Sequence, residues 1–261
     1  MLQHHKDTIQ KITNKLKARK DILAILVCGS IAHGFEAPTS DVDLMLVLSD
    51  SNHKKRLETG DIHYFETESC TYDSGYIDGK YISRAFMKQV AEQGSEPARY
   101  AFKGAFTTYY RVEGISELIN EITRYPMKKK NENITRFYAQ FEAWKWYCEE
   151  ALKQNNLYLL NHSISNFVLF SGRLILTYNE KLYPYHKWFL KVLEQVKEKP
   201  VDLIDAIQNL LQEPNNQHIN KLYQLIKDFR NWEVSEHNWP VMFMKDCELN
   251  WMTRCVPVAD I

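Results

Sequence analysis

Residues 28–48 read CGSIAHGFEAPTSDVDLMLVL, and this stretch decides what the first half of the chain can be. It holds a Gly-Ser pair (Gly29 and Ser30), two carboxylates (Asp41 and Asp43) and an apolar run over 44–48. Alternate residues of a strand point to one face, so a strand here would project both carboxylates together, roughly 6–7 Å apart at Cα. Divalent cations such as Mg²⁺ favour such oxygen ligands, usually together with substrate phosphates. The stretch therefore predicts a site for metal ions and phosphate.

The Gly-Ser pair supplies the phosphate side of this predicted site. Gly29 would let a phosphate approach the backbone closely, Ser30 can donate its hydroxyl, and N–H groups at the start of a following helix favour anions. In the alternative interpretation, Ser40 and Asp41 only cap a turn. That interpretation leaves the second carboxylate, Asp43, and the upstream Gly-Ser pair unexplained. The combination is typical of two-metal phosphoryl or nucleotidyl transfer.

Short apolar runs place this stretch in an α/β region. Ile22–Cys28 is short and continuous and ends at a glycine, which predicts a strand buried on both faces. A second strand over Val42–Leu48 ends in a predicted turn over 49–52. Further strands are predicted over 62–67, 75–82 and 106–112, and helices over 8–19, 86–93, 97–103 and 115–124.

The character of the sequence changes after residue 125. A long helix is predicted from an apolar stripe at helical spacing, made of Phe137, Phe141, Trp144, Cys148 and Leu152. Four more helices are predicted over 163–177, 188–198, 202–211 and 219–232. We therefore expect an α/β (α+β) domain with a mixed sheet over residues 1–125 and a helical bundle domain over 126–261.

Composition narrows the class of protein. The 261-residue chain has 33 basic and 33 acidic residues, and a nucleic-acid-binding surface usually brings a basic excess, so nucleic acid is an unlikely partner. No apolar run approaches the ~18 residues that span a bilayer, which predicts a protein without a membrane partner. The five scattered cysteines fit no zinc spacing and are typical of reduced thiols in a cytoplasmic protein.

With these motifs the chain resembles the nucleotidyltransferase superfamily typified by DNA polymerase β. The resemblance is to its minimal and antibiotic-modifying members, such as the aminoglycoside and lincosamide nucleotidyltransferases. The family pattern is Gly-Ser, an interval of about eight to thirteen residues, two acids separated by one residue, and a third carboxylate on a later strand. Gly29-Ser30 and Asp41-Val42-Asp43 match it. The match covers roughly residues 20–85, and over the helical half it rests on architecture alone.

The resemblance implies an enzyme that moves a nucleoside monophosphate, AMP from ATP, to a hydroxyl of a small molecule and releases pyrophosphate. Asp41 and Asp43 would hold two Mg²⁺ ions on the nucleoside triphosphate. Gly29, Ser30 and Ser40 would bind the nucleotide. Little covalent chemistry falls to the protein, so positioning and charge neutralisation dominate.

The third carboxylate has to be chosen from the later strands. Asp78 stands between apolar residues and glycines in the predicted strand 75–82, where solvation explains an acid poorly and a ligand would have room. As a general base it would accept the proton of the attacking hydroxyl. Asp73, Glu66 and Glu68 are its competitors, although a turn beside Ser74-Gly75 accounts for Asp73.

The resemblance also implies a basic residue from the helical half that reaches the triphosphate. Lys187, at a predicted helix start after a proline turn, is the first candidate and Arg173 the second. Glu142, Trp144 and Glu149 are candidates for lining an acceptor pocket.

Two other functions stay open at this level. One is the same chemistry on a protein or RNA acceptor, and the other is a non-catalytic nucleotide-binding regulatory module. Intact Asp41 and Asp43 favour catalysis over the second. The sequence leaves undecided the acceptor, the preferred nucleotide, a role in antibiotic resistance and whether the chain forms a homodimer, as some antibiotic nucleotidyltransferases do.

Overall fold

The computed structural model describes residues 1–232, 234 and 238–252. The chain divides into two compact units, one over Met1–Arg124 and a second that starts at Tyr125. Within the described ranges, no helix combines the length and the apolar character that a membrane span requires.

The first unit is built on a mixed five-stranded sheet. Its strands are β1 (Ile22–Cys28), β2 (Val42–Leu48), β3 (His63–Glu66), β4 (Ile77–Ser83) and β5 (Phe106–Tyr110). They lie in the order β3-β4-β2-β1-β5. β2 and β4 run parallel, and the other neighbouring pairs run antiparallel. The two apolar runs of the sequence thus form adjacent inner strands of the sheet.

Helices cover both faces of this sheet. They are α1 (Gln3–Leu16), α2 (Gly29–His33), α3 (Asp50–Thr59), α4 (Arg84–Gln93), α5 (Glu96–Tyr100) and α6 (Ile115–Ile122). On one face, Ile12 of α1 belongs to a core cluster with Ile25 and Leu44 of the inner strands. On the other face, Met45 belongs to a cluster with Ile119 of α6. The inner strands are therefore buried on both sides, which is why they are apolar without alternation.

The second unit is helical over its described residues. Its helices are α7 (Lys130–Lys153), α8 (Leu157–Tyr178), α9 (Phe189–Glu194), α10 (Leu203–Gln212), α11 (Asn216–Phe229) and α12 (Trp239–Cys247), with short 3₁₀ turns over Met127–Lys129, His186–Trp188 and Asn250–Met252. Phe141 of α7 is fully buried and stacks on Phe167 of α8 and Tyr223 of α11, each at 5.2 Å between ring centroids. The predicted apolar stripe of α7 thus packs into the core, with Phe141 and Cys148 fully buried.

The structure confirms the predicted fold class, a mixed α/β region followed by a helical region, and both inner strands have the predicted bounds. The turn predicted over 49–52 is wrong, because these residues begin α3. The Ser49 hydroxyl accepts a hydrogen bond from the Asn52 N–H at 3.3 Å and caps the helix. α1 also begins at Gln3, five residues before the predicted start, and α12 was not predicted.

Candidate active site

Four residues form one lateral row across one face of the sheet. Phe65 of β3 pairs with Asp78 of β4, Asp78 pairs with Asp43 of β2, and Asp43 pairs with Cys28 of β1. Paired residues on neighbouring strands project to the same side, with strands about 4.8 Å apart. The parallel pairing of β2 with β4 therefore places two carboxylates directly beside each other.

Asp41 completes a group of three acids. It immediately precedes β2, and one carboxylate oxygen from each of Asp41, Asp43 and Asp78 lies within 4.8 Å of the others. All three residues are partly exposed, so a ligand can reach them from solvent. The structure thus brings together the three acids that the sequence put forward as the catalytic set.

Three carboxylates this close repel one another unless a cation neutralises them. A group of hard oxygen donors that is partly open to solvent fits Mg²⁺, which takes one or two carboxylates and completes its shell with water and phosphate oxygens. The donor set is therefore suited to divalent metal ions, and Asp41 and Asp43, together with Asp78, are the residues that could hold them.

Gly29 lies against the carboxylate of Asp43. A Cβ atom added at Gly29 would come within 1.7 Å of Asp43 Oδ2, and its φ of +64° is a left-handed conformation that L residues adopt rarely. Only glycine fits this position without displacing Asp43. The Gly-Ser pair and the carboxylate pair, 12 residues apart in Gly29 and Asp41, are therefore in direct contact in space.

Ser30 follows Gly29 and is 5% exposed. Its Oγ is buried and has no hydrogen-bond partner among the described residues. A buried hydroxyl without a partner costs free energy, so a ligand oxygen would be favoured beside it. Ser40 differs, because its Oγ accepts from the Ala37 N–H at 2.9 Å and closes the loop before Asp41. The geometry of Ser40 is that of a turn residue, and its contact with nucleotide stays a prediction.

The acids alter the titration of their neighbours. Burial, and then the negative charge of Asp43, raises the pKa of the Cys28 thiol far above its usual range, so this cysteine stays a neutral thiol. The negative charge of Asp41, then burial and an interaction of the hydroxyl with Asp41, raise the pKa of Tyr76. The Tyr76 hydroxyl therefore stays protonated and can donate to Asp41.

The competing acids lie in other environments. Glu66 accepts hydrogen bonds from Lys15 Nζ at 2.7 Å, from the Ser69 N–H at 3.1 Å and from the Tyr64 hydroxyl. Glu68 is largely exposed and also pairs with Lys15. Asp73 is exposed, and the group of neighbouring acids found within the described residues does not include it. Asp78 is the choice that geometry favours for the third acid.

Three side chains near Asp78 were not predicted as site residues. His63 Nε2 lies 2.5 Å from Asp78 Oδ1, Phe65 is opposite Asp78, and Tyr76 precedes β4. The Phe65 and Tyr76 rings are 5.8 Å apart. The sequence His63–Glu66 has no regular alternation of polar and apolar residues, and its side chains can be assigned to the site only once the register of β3 on β4 is known.

The basic candidates belong to the second unit. The guanidinium of Arg173 in α8 lies over the rings of Phe137 and Tyr183, at 4.2 and 4.4 Å from their centroids. Lys187, in the 3₁₀ turn His186–Trp188, is exposed, with Nζ 5.2 Å from the Trp188 ring. Arg173 is thus close to two rings, whereas the exposed Lys187 is farther from a single ring.

The residues suggested for an acceptor pocket have partners within the second unit. Glu142 accepts from the Tyr223 hydroxyl at 3.1 Å and pairs with Lys227 at 3.6 Å, and Glu149 pairs with Lys145 at 2.8 Å. Trp144 donates to Gln140 at 2.9 Å. These contacts are those of a polar network between helices.

Comparison with known proteins identifies one family model and several solved structures. Residues 10–92 match the family described as "Polymerase beta, Nucleotidyltransferase", a match that runs from within α1 into α4 and includes all three acids. No curated protein matches the chain. A nucleotidyltransferase-like protein from Exiguobacterium sibiricum 255-15 is similar with a TM-score of 0.47 and 9% identity, over 98% of this chain and 83% of that one. The spectinomycin adenyltransferase AAD(9) from Enterococcus faecialis, solved with ATP and spectinomycin, has a TM-score of 0.37 and 16% identity, over 85% of this chain and 99% of that one.

Proposed function

We propose, from the match of residues 10–92 to the family described as "Polymerase beta, Nucleotidyltransferase", that the protein transfers AMP from ATP to a hydroxyl of a small molecule and releases pyrophosphate. Residues 1–125 are then the catalytic domain and residues 126–261 a helical domain. We place this metal-dependent reaction, with two Mg²⁺ ions, in the cytoplasm.

One observation carries the proposal. Asp41 immediately before β2, Asp43 on β2 and Asp78 on β4 converge within 4.8 Å, and Asp43 lies against Gly29, the neighbour of the buried Ser30. Three convergent carboxylates suit metal ions, and a buried hydroxyl without a partner among the described residues suits a phosphate oxygen. A site with both features next to each other supports transfer of a phosphorus-containing group.

The roles of the residues follow from their positions. Mg²⁺, when bound, would supply charge that stabilises the adenylyl group in transfer and the leaving pyrophosphate. Asp41 and Asp43 would hold it, while the Gly29 backbone and Ser30 would orient the phosphates. Asp78 accepts the proton of the attacking hydroxyl. Because transfer requires the attacking and leaving oxygens to be roughly in line, the spacing of these groups matters more than any single interaction.

A small acceptor is favoured over nucleic acid by the charge of the chain. With equal numbers of acidic and basic residues, the protein lacks the basic excess that usually accompanies binding along a phosphate backbone. We propose that Lys187, and secondarily Arg173, contacts the triphosphate. Ser40 remains a proposed nucleotide contact.

The proposal is tested by incubating the protein with Mg²⁺, labelled ATP and a panel of hydroxylated small molecules, and by measuring pyrophosphate release. Asp41→Asn and Asp43→Asn, each folded by circular dichroism, are expected to abolish release. Asp73→Asn is the matched control, since its carboxylate is exposed and lies on the loop before β4. Failure of every acceptor, together with failure of ATP to bind in the presence of Mg²⁺, would overturn the proposal.

A further inference from the structure

Two exposed aromatic rings lie beside the three acids. Phe65 is 58% exposed and Tyr76 is 39% exposed, and their centroids are 5.8 Å apart with an interplanar angle of 31°. Neither ring belongs to a core cluster of the described residues. Single exposed aromatics are ordinary, but packing does not explain two adjacent rings held open to solvent next to carboxylates. We call Phe65 and Tyr76 the aromatic pair.

Each ring of the aromatic pair lies beside one of the three acids. Phe65 pairs with Asp78 across β3 and β4, so its Cβ is about 5 Å from that of Asp78 on the same face. The Tyr76 carbonyl accepts from the Val42 N–H at 3.1 Å, which places Tyr76 beside the start of β2, next to Asp41. A molecule lying on these rings would therefore have its edge at Asp41 and Asp78.

The position of the aromatic pair favours contact with the acceptor over contact with the nucleotide. The lateral row runs from Phe65 through Asp78 and Asp43 to Cys28, and Gly29 and Ser30 follow at the far end. Three strand spacings, about 14 Å, separate the two ends of this row. If phosphates bind at Ser30, the leaving pyrophosphate lies toward β1. In-line displacement then requires the attacking hydroxyl to arrive from the side of β3 and β4, where the aromatic pair is.

We propose that Phe65 and Tyr76 form the acceptor subsite, and that the acceptor carries its reactive hydroxyl on, or one bond away from, a ring with an apolar face. This inference rests on the proposed nucleotidyl transfer. A sugar ring and an aromatic ring share the required chemistry, because either can lie flat on the exposed faces of the pair while its hydroxyl points to Asp78. His63 Nε2 lies 2.5 Å from Asp78 Oδ1 and so is placed to hold that carboxylate in position.

Ligand-observed NMR with three probes tests the inference in the presence of Mg²⁺ and a non-hydrolysable ATP analogue. Benzyl alcohol represents the aromatic source, methyl β-D-galactopyranoside the sugar source, and glycerol is an acyclic control. We expect at least one ring probe to bind the wild-type protein and glycerol not to bind. Phe65→Ala and Tyr76→Ala are expected to weaken that binding about tenfold, as loss of an aromatic contact of ~1.4 kcal/mol would.

Two control variants separate the ring contact from other effects. Tyr76→Phe keeps the ring and is expected to keep probe binding. Tyr110→Ala removes a ring that is 64% exposed on β5, at the opposite edge of the same sheet, and is expected to change nothing. Affinity for the ATP analogue is expected to stay the same in all four variants.

The outcomes also separate this inference from the proposed function. If the ATP analogue binds with Mg²⁺ but neither ring probe binds, or if Phe65→Ala binds a ring probe as tightly as the wild type, the acceptor subsite is wrong and nucleotidyl transfer stands. If the ATP analogue itself does not bind, the proposed function fails. Binding of only one ring probe identifies the class of acceptor.

Discussion

The backbone of Gly29 lies so close to Asp43 that a Cβ at residue 29 would come within 1.7 Å of the carboxylate oxygen Oδ2. This contact links the turn after β1 to the acid on β2. It fixes the distance between the proposed phosphate-binding turn and the proposed metal ligand. The Gly-Ser pair is therefore a spatial part of the acidic site.

Gly29→Ala is expected to reduce nucleotidyl transfer at least about a hundredfold, because the new methyl group must displace the Asp43 carboxylate, and displacements near 1 Å have effects of this size. Steady-state kinetics measure the loss. Gly34→Ala is the matched control, since Gly34 also has a positive φ, +71°, but a Cβ there has no neighbour within 4 Å. Gly34→Ala should lose about 1–2 kcal/mol of stability through backbone strain and should retain activity. Equal losses of activity in both variants would contradict the role of the contact.

Asp78→Asn is expected to lower kcat by roughly 10²–10⁴, the usual contribution of a general base. It should also raise the melting temperature measured without Mg²⁺, because one of three mutually repelling charges is removed, and should diminish the stabilisation that Mg²⁺ gives the wild type. Asp73→Asn should match the wild type in both measurements. Full activity in Asp78→Asn would show that another residue is the base.

Ser30→Ala is expected to raise the KM for ATP without lowering the melting temperature, because the buried Oγ has no partner to lose among the described residues. Ser49→Ala is the control, and it is expected to change stability and not the KM for ATP. Its hydroxyl caps α3, so its removal should cost about 1 kcal/mol of stability and leave the KM unchanged. A stability loss in Ser30→Ala with an unchanged KM would mean that this hydroxyl is structural.

Stability is expected to fall as the pH drops below about 6.5, in part through His5. Burial lowers the pKa of this fully buried ring, helped by the nearby His4. Nε2 donates to the Ser40 carbonyl at 3.1 Å, which leaves Nδ1 unprotonated, buried and without a hydrogen-bond partner among the described residues. Because the unfolded chain then binds the proton more readily, the stabilisation is complete above the unfolded pKa of 6.5 and is lost toward the lower folded pKa.

Thermal melts of the wild type and His5→Gln at pH 7.5 and 5.5 measure this dependence. The variant should lose less stability between the two values. Part of the loss should remain, since burial also lowers the pKa of His33 and His53. Identical losses in the two proteins would rule out a contribution from His5.

Lys187→Ala is expected to raise the KM for ATP severalfold with no change in melting temperature, because the side chain is exposed. Lys191→Ala is a close control, since both lysines place Nζ 5–6 Å from the Trp188 ring, at 5.2 and 5.5 Å. Arg173→Ala should instead destabilise the second unit through lost contacts with Phe137 and Tyr183. Unchanged KM values in both Lys187→Ala and Arg173→Ala would leave the triphosphate without the proposed basic contact.

The parts of the fold that could be predicted were those with strong local patterns. β1 and β2 are short apolar runs with polar residues at their ends, and the prediction gave their bounds correctly. α3 was missed because its sequence, DSNHKKRLET, buries only His53 and so has no apolar periodicity. Ser49, the N-cap of α3, begins a run of short polar residues that is equally typical of a turn. Short polar side chains hydrogen-bond to nearby backbone both in turns and at the start of helices.

The residues of the site also divide into those that a local sequence pattern predicts and those whose contacts depend on strand pairing. Asp41 and Asp43 are neighbours in sequence, so their pairing could be inferred locally. The contacts of Asp78 with Asp43 and Phe65 depend on the registers of β4 on β2 and of β3 on β4, which no local pattern encodes. Asp78 was reached through its strand environment, whereas Phe65, Tyr76 and His63 were not reached at all.

The position of the transferred label tests the central claim most directly. The protein is incubated with Mg²⁺ and the acceptor panel, once with ATP labelled at the α-phosphorus and once with ATP labelled at the γ-phosphorus. The account predicts that the α-label joins the acceptor and the γ-label leaves as pyrophosphate, with neither result in EDTA or in Asp43→Asn. Transfer of the γ-label to the acceptor, or α-label transfer that persists in EDTA, would contradict it.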